Sequence, residues 1–190
     1  PQALLKYADI AMYQAKRQKH AMCLFEPWMA RVVFEQLNFA KRLGIAIADK
    51  QLNLHFQPQV NLSSGRLVGA EALCRWHDEE LGDVSPGKFI PIAEERGMIV
   101  ALGYWVIEEA CRQLAEWRAQ GHSMPGQLAI NIAAQQFEEE SLVANLLDSC
   151  ASFSIEPSQL SLEITESGIM ENPEKAIAMT EVLKGKGLGL

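Results

Sequence analysis

The sequence predicts an α/β protein: helical segments first, then a strand hairpin, then βα units that close either as a doubly wound sheet or as a barrel. Three observations predict this. Pro1 to Lys50 carries apolar residues at helical spacing. The run LNLHFQPQV, NLSSG, RLVGAEALCRW sets two strand-like stretches around a short Ser-Gly connection, the pattern of an antiparallel hairpin. After it, helix and strand patterns alternate to the last residues, as parallel βα units do.

Each element has its own justification. ALLKYADIAMYQAKRQKH places Leu5, Ala8, Met12 and Ala15 at helical spacing, and AMCLFE after it reads as a short strand. A second helix, from Arg31 to Asp49, carries Phe34, Leu37, Ala40 and Leu43 on one side and suits a connector between domains. After the hairpin, SPGKFIPIAEERG has Ser85 as N-cap, Pro86 at the first helical position and Gly97 at its end. A longer helix from Ala101 to Gln120 puts Ile107, Ala110, Cys111 and Leu114 on one face and closes at Gly121. QLAINI is the next strand, and Leu142, Val143, Leu146, Leu147 and Cys150 form a helical stripe. SLEITE is a further strand, and Asn172 with Pro173 starts a helix running to Lys184.

The chain has 190 residues and a net charge of −7. That length suits one ordinary domain, or part of a larger one with an appendage. The acidic balance argues against a protein that coats nucleic acid, which needs clustered Lys and Arg. A small anionic ligand is still within reach if a metal or a local arginine supplies positive charge. Cys23, Cys74, Cys111 and Cys150 are scattered, with no CxxC pair, and read as reduced core thiols of a cytoplasmic protein. No apolar run approaches the ~20 residues of a membrane span, and no stretch reads as a signal peptide. The chain opens at Pro1 inside a helical pattern and stops at Leu190 inside the run LGL, so both ends read as cut.

Strand parity sorts the polar residues. In QLAINI, Leu128, Ile130 and Ile132 share one face, and Ala129 and Asn131 the other. In LSLEIT, Leu160, Leu162 and Ile164 oppose Ser161, Glu163 and Thr165. Glu71 shares its face with Gly69, Leu73 and Arg75, while Asn53, His55, Gln57 and Gln59 line up on the first strand. Polar groups at the ends of several strands are what a βα barrel site requires. Glu71, Asn131 and Glu163 are hard oxygen donors, suited to Mg²⁺, Mn²⁺ or Ca²⁺ rather than zinc. Arg75 could hold a phosphate, and Gln57 a base or ribose.

Plainer roles stand beside these. A strand-end Glu is more often a solvated charge or an ion-pair partner than a metal ligand, Asn131 could cap the next helix, and Gln57 beside Pro58 could simply end a strand. Glu166 has the opposite parity and a supporting role at most. Glu94 and Glu95 lie in a helix, Glu138 to Glu140 offset a helix dipole, and His55 is a lone histidine. There is no Gly-rich phosphate loop, no GxSxG and no HExxH.

HFQPQVNL, AEALCRW, PGKFIPIAEERG, LAINIAAQQF and LSLEITES, in that order, resemble the EAL domain family of cyclic di-GMP phosphodiesterases. Upstream, ADIAMYQAK resembles the closing helix of a GGDEF domain, the diguanylate cyclase family. The resemblance implies residues 1–27 as the end of a GGDEF domain, 28–50 as a linker helix and 51–190 as the first half of an EAL domain. It implies a partial (β/α)8 TIM-like barrel with an antiparallel first strand, since eight strands take ~250 residues. By resemblance, Glu71, Asn131 and Glu163 match metal ligands for Mg²⁺ or Mn²⁺, and Gln57, Leu73 and Arg75 match residues contacting the dinucleotide. The implied reaction is hydrolysis of cyclic di-GMP to pGpG, with no nucleic acid polymer as partner and with homodimerisation through the EAL domain. The family's Asp pair and catalytic lysine are expected beyond Leu190, so the chain alone is expected to be inactive. Ala133 departs from the serine often found there. The competing expectation is a catalytically silent module that senses cyclic di-GMP or binds a protein. A parent in which the GGDEF half dominates and makes the messenger is a third.

Overall fold

The computed structural model describes residues 2–17, 22–164 and 173–190. The chain divides into two units, residues 1–45 and 46–190. In the first, α1 (Gln2–Arg17) is followed by the start of α2 (Pro27–Ala48). The strand expected over AMCLFE is absent: Met22 to Glu26 have no regular structure. An extended segment becomes a strand only when another strand pairs with its backbone, and among the described residues none pairs with Met22 to Glu26. The helix faces also differ from the predicted stripes. On α1 the buried side chains are Ile10, Ala11, Gln14 and Ala15, whereas Leu5 and Met12 are exposed. On α2 they are Met29, Phe39, Leu43, Ala46 and Ile47, with Phe34 and Leu37 exposed. Several apolar residues ring each helix, so spacing alone offers more than one stripe and packing selects among them.

The second unit is an open mixed sheet with helices on one face. β1 (Leu52–Val60) and β2 (Leu67–Asp78) form the predicted antiparallel hairpin, and β3 (Gly82–Val84) adds a short antiparallel partner to the end of β2. α3 (Pro86–Glu95) and α4 (Ile99–Ala119) cross over to β4 (Gln127–Ile132), which lies parallel to β2. A single helical turn α5 (Ala134–Phe137), α6 (Leu142–Phe153) and a 3-10 turn then lead to β5 (Leu160–Ile164), parallel to β4. α7 (Pro173–Gly185) follows, and Gly189 bridges in parallel to Ser161. Strand order is β1-β2-β4-β5, and the sheet is not closed. Asn172, expected to cap the last helix, lies outside the described residues.

The core is the seam between sheet and helices. Leu128, Ile130, Ile132, Leu160 and Leu162 lie at or below 2% exposure. Against them pack Ile107, Ala110, Cys111 and Leu114 of α4, the predicted face, and Leu142, Leu146 and Cys150 of α6. Each large aliphatic side chain buried this way contributes about 1.5–3 kcal/mol. The Trp76 ring meets Phe89 edge-on at 6.0 Å, fixing α3 to β2, and Phe56 meets Trp117 at 4.8 Å, fixing β1 to α4. Arg118 donates from Nη1 to the Ser154 carbonyl at 2.6 Å and from Nη2 to that of Phe153 at 3.1 Å, neutralising the C-terminal end of α6.

Helix ends follow the predicted chemistry, with one difference. Ser85 precedes α3, but its side chain makes no cap bond; its carbonyl takes the amides of Lys88 and Phe89 instead. Gly97, at φ +67°, ends α3, and the Met98 amide bonds back to the Ala93 carbonyl at 2.7 Å. Gly126 opens β4 at φ +85°, where a Cβ would strike the Val68 carbonyl. A Gly126→Ala variant should therefore lose about 1–3 kcal/mol in urea unfolding, through strain and the push on the β2–β4 pair.

Candidate functional site

Parallel pairing in register turns strand parity into a site. Glu71 of β2 sits opposite Ala129 of β4, and Asn131 of β4 opposite Glu163 of β5. All three polar side chains emerge on the face away from α4 and α6, because the alternate residues of each strand are committed to the core. Asn131 donates from Nδ2 to Glu71 Oε1 at 2.7 Å. That bond decides among the roles open to Asn131: it does not cap a helix, since Ala133 is the N-cap of α5 and makes no side-chain cap bond.

Glu163 completes the cluster. Partial burial and then the charge of Glu71 push its carboxyl above the usual carboxylate range, so the two carboxylates feel one another. Among the described residues no Lys or Arg pairs with either carboxylate. Nor is there, among them, any grouping of three or more His, Cys, Asp and Glu; the cluster is two carboxylates and one amide. Thr165 and Glu166 lie outside the described residues.

The remaining candidates border the cluster. Gln57 is the cross-strand neighbour of Glu71 and Asn53 that of Arg75, so the hairpin brings Gln57 to the same face. Gln57 and His55 are exposed, because the open sheet leaves that face uncovered. Arg75 is half-buried and spends Nη1 on the Cys74 carbonyl at 2.9 Å, leaving most of its fork unused. Burial pushes the Cys74 thiol up to about 12 despite Arg75 beside it, which rules Cys74 out as a nucleophile. The Cys111 thiol is also held high, by a hydrogen bond with Cys150 and by burial, so this pair belongs to the core.

Next to the cluster lies a cavity of about 630 Å³, lined by Leu73, Arg75, Pro86, Ile90, Glu94 and Asn131 among others. Glu94, in a helix as expected, is exposed and lines it, and Gln135 Nε2 donates to the Glu94 carbonyl at 3.4 Å, tying α5 to α3. Sequence reasoning missed Gly103 and Gln136 in its wall, and missed α5 itself. The available signal was a polar pair, Gln135 and Gln136, shortly after a largely buried strand.

The mutual influence of the carboxylates has a measurable consequence. A carboxyl raised in the folded state contributes stability below its unfolded value and loses it as pH rises through the folded one. Glu71→Gln removes one charge, so the Glu163 carboxyl should return toward the ordinary range and that loss should shrink, as read by carboxyl-carbon NMR titration and by stability against pH.

Comparison with known proteins bears on this geometry. The EAL domain family model matches residues 40–190. The bifunctional diguanylate cyclase/cyclic di-GMP phosphodiesterase MucR of Pseudomonas aeruginosa is 40% identical over 188 residues, 98% of this chain and 27% of MucR. The cyclic di-GMP phosphodiesterase PdeR of Escherichia coli is 37% identical over 94% of this chain and 27% of its own length. The chain thus spans about a quarter of these curated relatives. Among solved structures, the MucR phosphodiesterase in complex with c-di-GMP superposes with a TM-score of 0.74 at 39% identity, covering 82% of this chain and 61% of that one. The FimX EAL domain of Xanthomonas citri in complex with c-di-GMP shares the fold, with a TM-score of 0.73 at 24% identity, over 83% of this chain and 61% of its own. The chain belongs to the EAL domain family.

Proposed function

We propose that this chain supplies part of the active site of a metal-dependent phosphodiesterase that hydrolyses cyclic di-GMP to pGpG. The observation that carries it is the meeting of Glu71, Asn131 and Glu163 on one sheet face, two unneutralised carboxylates beside an amide. This donor set fits Mg²⁺ or Mn²⁺: the oxygens are hard, and a cation would offset the charge of Glu71, which together with burial, the larger cause, raises the Glu163 carboxyl. Glu71, Glu163 and the Oδ1 of Asn131 would hold it. When bound, such an ion activates water and offsets charge on phosphate oxygens.

The chain's own groups do the rest. Arg75 turns its unused donors to a phosphate, Gln57 hydrogen-bonds the dinucleotide across β1, and Leu73 forms an apolar wall on the cavity that takes one base. Residues 1–27 are assigned to the end of a GGDEF domain, 28–50 to a linker and 51–190 to the first part of the EAL domain. The match to bifunctional MucR over 98% of the chain supports this. Four free cysteines suit a cytoplasmic setting, and among the described residues no helix is long and apolar enough to cross a membrane.

A second reading, a silent module that binds cyclic di-GMP, draws on the donor count. Octahedral Mg²⁺ takes about six oxygens, and three protein donors stand in the cluster. In a full-length protein containing this chain, Glu71→Ala should lower hydrolysis at least about a hundredfold, measured by chromatography of pGpG; unchanged turnover would overturn the hydrolase reading. The 190-residue chain by itself should show no turnover in the same assay.

A further inference from the structure

The first strand carries a polar row of which the proposed function uses only one member. Phe56 packs edge-on against Trp117 of α4, so the even residues of β1 face the helices while Asn53, His55 and Gln57 face the other way. Register sets Gln57 across from Glu71, His55 across from Leu73 and Asn53 across from Arg75. Paired residues of antiparallel strands project to the same face, so His55 stands on the face that holds Glu71, Asn131 and Glu163. Its ring is exposed and, among the described residues, makes no hydrogen bond. Leu73, its cross-strand partner, offers none.

The position of this rung gives the unused ring a task. Glu71, of the proposed metal site, and Arg75, of the proposed phosphate contact, lie four residues apart on β2, roughly 13 Å at about 3.3 Å per residue. His55 and Leu73 form the rung midway between them. A ligand that reaches both the oxygen cluster and Arg75 passes over it. In a dinucleotide that stretch is sugar and phosphate, rich in acceptor oxygens, and the imidazole N–H is the one side-chain donor the rung holds. We propose that His55 is a further substrate-binding residue, its ring N–H donating to a sugar or phosphate oxygen of the dinucleotide between the metal site and Arg75. A neutral imidazole always carries one N–H, so the contact needs no change of charge. The proposal deepens the hydrolase reading above and rests on it.

The test measures hydrolysis of cyclic di-GMP with Mg²⁺ by a full-length protein containing this chain, as wild type, His55→Phe and His55→Gln, with thermal melting of each. Phenylalanine keeps a flat ring and removes the donor, and glutamine restores an N–H. His55→Phe should raise KM about tenfold with kcat within about threefold of wild type, and His55→Gln should recover most of that loss. All three should melt alike, because the side chain is exposed. Wild-type kinetics in His55→Phe would overturn this proposal and keep the hydrolase reading. Equal losses in both variants, or lower melting in either, would make packing of β1 the cause and overturn it as well. A fall in kcat at unchanged KM would place the ring in the chemical step and do the same. Wild type without turnover would overturn both readings.

Discussion

Parallel hydrogen bonding of β4 between β2 and β5 is the constraint on which the rest of the second unit depends. With Leu128, Ile130 and Ile132 committed to α4 and α6, β4 has one register that keeps its apolar residues inside. A slip of one residue would carry Asn131 into the core and Ile132 to the open face. The hydrophobic seam therefore does more than stabilise the sheet. It decides which oxygens meet.

What meets there is electrostatically unsettled. Two carboxylates influence one another, and the one bond between cluster members, from Asn131 to Glu71, supplies a neutral donor rather than a cation. A structural ion pair would have drawn in a lysine or an arginine, and Arg75 instead turns to its own backbone neighbour. Uncompensated like charge at strand ends supports the metal site proposed above. Rigidity around it comes from α3, held by Trp76 against Phe89, and from α5, tied to α3 through Gln135.

Much of this was legible in the residues. The hairpin, the α4 face at Ile107 to Leu114, and the parity that puts Glu71, Asn131 and Glu163 together all follow from local periodicity. The failures share a cause. Met22 to Glu26 have strand-like composition and, among the described residues, no strand to pair with; Phe34 and Leu37 form a stripe at helical spacing and remain exposed. Gln136, which periodicity does not single out, sits in the wall of the cavity. In each case the outcome turned on what lay opposite in space, which periodicity does not encode.

By itself the sequence determined the order of elements, the alternation within each strand and the chemical type of the candidate ligands, because propensity and side-chain period are properties of neighbours along the chain. Only the tertiary structure decided that Asn131 bonds to Glu71 rather than capping α5, that Gly103 yields its space to Gln136, and which stripe of each helix is buried. Those outcomes depend on register and close packing between segments dozens of residues apart, where a difference of one methyl group selects the arrangement.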